Sequence, residues 1–155
     1  IITTGLSMSK ALNRETEFLK RYLRIAWEIG QLSRCKRSKA GAIIVRDGNI
    51  IAFGYNGTPR KSDNGCEEYD HEGNMVTKDC VIHAESNCIA KAAQSTIGVT
   101  GATLFCTMSP CFNCSIQIHN CGIQHVVYNE QYRKTDGIEF LEEQGILIQQ
   151  VGYDI

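Results

Sequence analysis

The stretch Thr103-Leu104-Phe105-Cys106-Thr107-Met108-Ser109-Pro110-Cys111-Phe112-Asn113-Cys114 decides how the chain is read. Its first five residues make a short buried strand, and Pro110 suits the first turn of a helix running over residues 111–121. A helix start carries unpaired N–H groups and the positive end of the helix dipole, which favour thiolate over thiol at Cys111 and Cys114. Two thiolates at C-x-x-C spacing offer half of a metal site, although alone they could equally be a redox pair.

Upstream, His83-Ala84-Glu85 opens a second expected helix, over residues 83–94, packed through Ile89, Ala92 and Ala93. His83, Cys111 and Cys114 together give one imidazole and two thiolates, whose charge cancels that of Zn²⁺. A structural zinc closes its tetrahedron with four protein ligands, whereas a hydrolytic one keeps three and leaves a position for water. Zinc can bring the pKa of such a water to about 7. Glu85 is then the proton carrier, moving a proton from water to a ring nitrogen and on to a departing amine, a role typically worth about 10²–10⁴ in rate. The pattern H-x-E…P-C-x-x-C is the signature of zinc-dependent nucleobase deamination. A non-catalytic zinc module is the alternative from another class, and a carboxylate beside an open position argues against it.

Working outward, residues 124–128 form a strand, 136–144 a helix ending at Gly145, and 146–149 a last strand. Towards the N-terminus, Phe18, Tyr22, Ile25, Ile29 and Leu32 recur at helical spacing over residues 15–32. Two apolar runs, 41–46 and 49–54, flank Asp47-Gly48, a strong hairpin signal. Residues 55–79, rich in Gly, Pro, Asn, Asp and Glu, read as a long functional loop. Strands alternating with helices in the second half imply parallel pairing, so the expected fold is α/β, a three-layer α/β/α sandwich around a mixed sheet. Residues 1–14 are expected to be a flexible tail and 15–155 a single domain.

The chain has 155 residues, with 43% hydrophobic and 21% charged, as an ordinary globular protein would. Sixteen basic and 17 acidic residues give a net charge of −1, so a small ligand is expected and no nucleic acid. No apolar run approaches the roughly 18 residues that cross a bilayer, so no membrane partner is expected and the reading is cytoplasmic. Eight cysteines without a secretory signal point to metal ligands and buried thiols rather than disulfides. Cys88, Cys106 and Cys121 read as small core residues, and His119 and His125 as surface or packing histidines.

Three segments, Gly54-Tyr55-Asn56-Gly57-Thr58-Pro59, His83-Ala84-Glu85-Ser86-Asn87 and Thr107 to Cys114, make the chain resemble the deoxycytidylate (dCMP) deaminase family, from about Leu23 to Gln150. The resemblance implies a five-stranded sheet of the cytidine deaminase type, a homohexamer, and conversion of dCMP to dUMP for thymidylate synthesis. It further implies activation by dCTP and inhibition by dTTP with Mg²⁺, at a site around Gly54, Tyr55, Asn56 and Gly57. Arg60, Lys61, Asp63 and Asn64 would meet the effector there. Asn56 would bond the sugar, the Ser109 carbonyl would receive the substrate amine, and Tyr132 would lie near the sugar-phosphate end. Arg34, Lys36 and Lys39, in the basic loop before the first strand, are the candidates for the phosphate. Cys35 and Cys66 match two ligands of a second, structural zinc found in some relatives, with His71 and Cys80 able to complete it; the other reading makes them free thiols. A zinc deaminase of free cytidine, a flavin precursor or an RNA base is the neighbouring alternative. The 26 residues between Asn56 and His83 argue against RNA.

Overall fold

The computed structural model describes residues 4–63 and 65–152, with side chains from residue 8 onward. Helix α1 (Thr4–Gly30) precedes a hairpin of β1 (Gly41–Arg46) and β2 (Asn49–Tyr55). A small hairpin follows, β3 (Glu67–Tyr69) and β4 (Met75–Thr77). The remainder alternates: α2 (Ala84–Ala93), β5 (Thr103–Met108), α3 (Phe112–Asn120), β6 (His125–Glu130), α4 (Asp136–Glu143) and β7 (Leu147–Gln150).

The five-stranded sheet has the order β2-β1-β5-β6-β7. The β2/β1 and β1/β5 pairs are antiparallel, while β5, β6 and β7 run parallel, so the sheet is mixed as expected. Asp47 and Gly48 have φ of 51° and 74°, the two positive values that a tight primed turn requires.

Side-chain alternation along the strands divides the core into two layers. Ile43, Val45, Phe105 and Val127 face α1, where they bury Leu23 and Ala26. Ala42, Ile44, Leu104 and Val126 face the other way and enclose Ala84 and Cys88 of α2, Ile118 of α3 and Leu141 of α4. Cys88 and Cys106 are buried and Cys121 half-buried, as small core residues.

Two expectations change. Helix α1 starts at Thr4, so residues 4–14 are helical rather than an irregular tail. Side chains 8–14 are all exposed, so no apolar face marks them. Strong helix formers and the Glu17–Arg21 pair at 2.9 Å stabilise the helix locally instead. The expected loop 55–79 contains the β3–β4 hairpin, whose three-residue strands are too short and too exposed to show alternation. An isolated bridge between Gly57 and Ile82, with N···O distances of 3.1 and 2.8 Å, closes the base of that excursion. Among the described residues no helix is long and apolar enough to cross a membrane.

Candidate active site

The two helices that carry the motifs begin in the same way. His83 is the N-cap of α2 (φ −70°, ψ 157°) and Cys111 the N-cap of α3 (φ −69°, ψ 168°). Neither side chain makes a capping hydrogen bond, so both are left to point at a common centre. Pro110 is fully buried beneath that turn, and a Cβ on Gly137 of α4 would meet the Pro110 carbonyl, so α4 packs directly under the ligand-bearing corner.

His83 Nδ1 lies 3.5 Å from Cys111 Sγ and 3.5 Å from Cys114 Sγ. These three residues form the one His/Cys/Asp/Glu cluster of metal-binding geometry among the described residues. Zinc–nitrogen and zinc–sulfur bonds of about 2.0 and 2.3 Å at a tetrahedral angle would separate their ligand atoms by about 3.5 Å. The donor set and its spacing therefore fit zinc. Ser86 of α2 touches Cys114 Sγ at 3.5 Å, giving the second thiolate a hydroxyl partner from the facing helix. Hydrogen bonds from Cys114 and then His83 push the Cys111 thiol down, while the same Cys111 contact and burial push Cys114 up, so the two sulfurs share one proton when no metal is bound. The Cys111 contact in turn raises His83.

Glu85, in the first turn of α2, is 6% exposed. Burial pushes its carboxyl above the ordinary range, and the charge of nearby His83 partly offsets this. A carboxyl poised in that direction can both accept and return a proton.

His83, Glu85 and Cys111 line a cavity of about 600 Å³ together with Asn56, Ser109 and Tyr132, within the roughly 300–1,000 Å³ common for small-ligand sites. Asn56 is locked at both ends: its Oδ1 accepts from Ala40 N at 2.9 Å and its Nδ2 donates to the Ser38 carbonyl at 2.9 Å. Each end keeps capacity for one further hydrogen bond. Buried Ser109 uses its Oγ to accept from Tyr132 N at 2.7 Å and Gln131 Nε2 at 3.0 Å, which fixes Tyr132 in the cavity wall.

The basic residues are placed differently from expectation. Arg34, Lys36 and Lys39 are exposed and do not line the cavity; Arg37 and Arg133 do. An irregular loop has no periodicity to say which of its cations turns inward. The structure also corrects the second zinc. Cys35 and Cys66 are joined in a buried disulfide with Cα atoms 5.1 Å apart, while His71 is exposed against Glu72 and Cys80 is an exposed free thiol.

Around the expected effector site, Gly54 is required by close packing. A Cβ there would meet Ala84 O and Cys88 N at 2.5 Å. The Tyr55 carbonyl accepts from Asn87 Nδ2 at 2.9 Å, and Lys91 Nζ lies over the Phe53 and Tyr55 rings at 4.1 and 5.4 Å. Arg60 donates to Gln94 at 3.0 Å, Lys61 is exposed, and Asp63 pairs with Lys78 at 3.7 Å. Asn64 lies outside the described residues.

A mixed five-stranded sheet presenting a buried carboxylate beside three zinc ligands on two helix starts defines a zinc-dependent deaminase fold. Residues 16–130 match the profile of the cytidine and deoxycytidylate deaminase zinc-binding region, and the chain belongs to that family. It is 33% identical over 138 residues to the deoxycytidylate deaminase of Saccharomyces cerevisiae, covering 85% of this chain but 44% of the yeast protein. To the deoxycytidylate deaminase of Enterobacteria phage T4 it is 32% identical over 149 residues, covering 72% of this chain and 77% of the phage protein. The chain thus spans less than half of the yeast relative's length. The crystal structure of dCMP deaminase from the cyanophage S-TIM5, in complex with dCMP and dUMP, superposes with a TM-score of 0.81. It is 41% identical and covers 87% of this chain and 97% of that one.

Proposed function

We propose that this chain hydrolyses dCMP to dUMP and ammonia, as the supplier of dUMP for thymidylate synthesis. The observation that carries the reading is the placement of Glu85 beside the His83–Cys111–Cys114 triangle in one wall of a nucleotide-sized cavity. When held by those three residues, zinc supplies an open coordination position at which water loses a proton near neutral pH. Glu85 carries one proton of the attacking water to the ring nitrogen beside the amino-bearing carbon, where it stays in dUMP, and the second, from the new hydroxyl, to the departing amine, which leaves as ammonia. Ser109 lines the same cavity, and its carbonyl is the acceptor for that amine in this reading. Asn56, oriented by Ala40 and Ser38, meets the sugar, and Tyr132 closes the sugar-phosphate end. The cations of the wall, Arg37 and Arg133, face the phosphate.

The same reading includes control by nucleotides: dCTP activates and dTTP inhibits with Mg²⁺, in a homohexamer. Its support is the Gly54-Tyr55-Asn56-Gly57 run and its resemblance to the dCMP deaminase family, together with the exposed Arg60 and Lys61 beside it. Amine release from dCMP, CMP, deoxycytidine and an adenosine-bearing RNA, each with and without dCTP or Mg²⁺–dTTP, tests both parts. Selective turnover of dCMP that dTTP suppresses and dCTP restores is the expected result. Preference for RNA overturns the substrate, and indifference to both triphosphates overturns the control.

A further inference from the structure

The two ligand-bearing helices meet in register. The N-cap of α2, His83, lies against the N-cap of α3, Cys111, and three residues further along each helix Ser86 lies against Cys114, both contacts at 3.5 Å. Three of these four residues are the metal-binding cluster. Ser86 is the fourth corner of the crossing, half-buried, with its hydroxyl turned to the sulfur of the facing helix.

A serine within a helix ordinarily turns its hydroxyl back onto a carbonyl three or four residues earlier in its own chain. Here both of those carbonyls already serve as acceptors: Ile82 O takes Gly57 N at 3.1 Å and His83 O takes Asn87 N at 3.0 Å. Among the described residues the Ser86 side chain has one hydrogen-bond partner, Cys114 Sγ. A thiol and a hydroxyl can each donate, but a sulfur that ligates a metal carries no proton, so in the metal-bound protein the hydrogen between them is the hydroxyl's.

The Cys111 sulfur has a donor as well, the backbone N–H of Cys114. Each thiolate thus receives one hydrogen bond from a group that is not itself a ligand. The bond to Cys111 comes with the helix turn, whatever side chain follows. The bond to Cys114 depends on the side chain at position 86. Hydrogen bonds to an ionised acceptor are roughly twice as strong as neutral ones, and partners of this kind orient metal ligands.

We propose that Ser86 is a positioning residue for Cys114: its hydroxyl holds that sulfur, as thiolate, at its corner of the triangle and so sets how tightly the protein keeps zinc. This rests on the zinc reading of His83, Cys111 and Cys114 and adds to it a residue outside the ligand set.

The experiment measures zinc affinity by competition with a chromogenic chelator near neutral pH. Two further readouts are the absorption spectrum of the Co²⁺-substituted protein and urea unfolding of the metal-free protein. Ser86→Ala is expected to bind zinc about 10–100-fold more weakly. Alanine is the better helix former, so α2 still forms and the metal-free urea midpoint does not fall. The thiolate-to-Co²⁺ charge-transfer band moves to longer wavelength, because a sulfur relieved of its hydrogen bond gives up electrons more readily. Ser86→Thr and Ser86→Val share one shape and differ in the hydroxyl, so the Thr variant should hold zinc about tenfold more tightly than the Val variant. Equal zinc affinity in that pair, or an unmoved charge-transfer band in Ser86→Ala, overturns the proposal while the zinc site stands. A fall in the metal-free urea midpoint that matches the loss of zinc affinity makes Ser86 structural and overturns it too. A wild-type protein that binds no zinc removes the metal reading itself, and this inference with it.

Discussion

The wall of the cavity that carries Glu85 and the part that carries Arg37 and Thr77 are held by different kinds of contact. His83, Glu85, Cys111 and Cys114 sit at the starts of α2 and α3, helices seated on the sheet through the larger core layer. Arg37 and Thr77 sit on exposed segments with three-residue strands, held by side-chain hydrogen bonds and one disulfide. Displacing the first set means breaking the core; displacing the second means breaking a few polar contacts and one disulfide. The difference leaves the metal-binding cluster and Glu85 on rigid helix starts and the Arg37–Thr77 part of the wall on contacts that can change without disturbing them.

The largest effect that tests this division is in the wall that carries Glu85. Glu85→Gln is expected to keep its zinc, by metal analysis, and to lose about 10²–10⁴ in kcat. Near-normal turnover would mean that the proton moves by another route. Next, Cys35→Ser releases the staple across the Arg37–Thr77 part of the wall. In non-reducing buffer it should lower stability to urea by about 2–4 kcal/mol, while zinc stoichiometry stays at the wild-type value. Loss of zinc in that variant would show that the two walls are not independent. Smallest is a pair of glycines three residues apart. Gly54→Ala forces α2 away from β2 and should cost about 1–3 kcal/mol in denaturant unfolding. Gly57→Ala, with open space around the new methyl, should be close to neutral. Equal costs at both positions would deny that close helix–sheet approach fixes the ligand helices.

The same division explains what could be read from the sequence. The zinc ligands and Glu85 fall in two short motifs, each at a helix start that local pattern locates, so chemistry and position are encoded within a few residues. The antiparallel β1–β2 pair and the parallel pairing of the second half follow equally from the Asp47-Gly48 turn and the strand–helix alternation, whereas the β1–β5 contact that joins them has no local signal. Nothing local encodes the partnership of Cys35 with Cys66, or of Glu67 with the amides of Lys36 and Arg37, because these contacts cross some thirty residues of chain. The phosphate candidates Arg34, Lys36 and Lys39 therefore flank Arg37, one of the two cations that line the cavity, without lining it themselves. The start of α1 escaped for the opposite reason: residues 8–14 are helical without a buried face, and periodicity reports burial.

Because Gly57 pairs with Ile82, the chain returns at Ile82 to the place it left at Gly57. Residues 58–81 thus form a cassette with both ends anchored at one point. The entropy of closing such an excursion grows slowly with its length, so residues can be added at the exposed β3–β4 turn, away from the Cys35–Cys66 and Arg60–Gln94 ties, at small cost. Val76, Thr77 and Val81 of that excursion line the cavity while His83, Glu85, Cys111 and Cys114 lie outside the excursion, so a change within the cassette reshapes the cavity wall and leaves the metal-binding cluster in place.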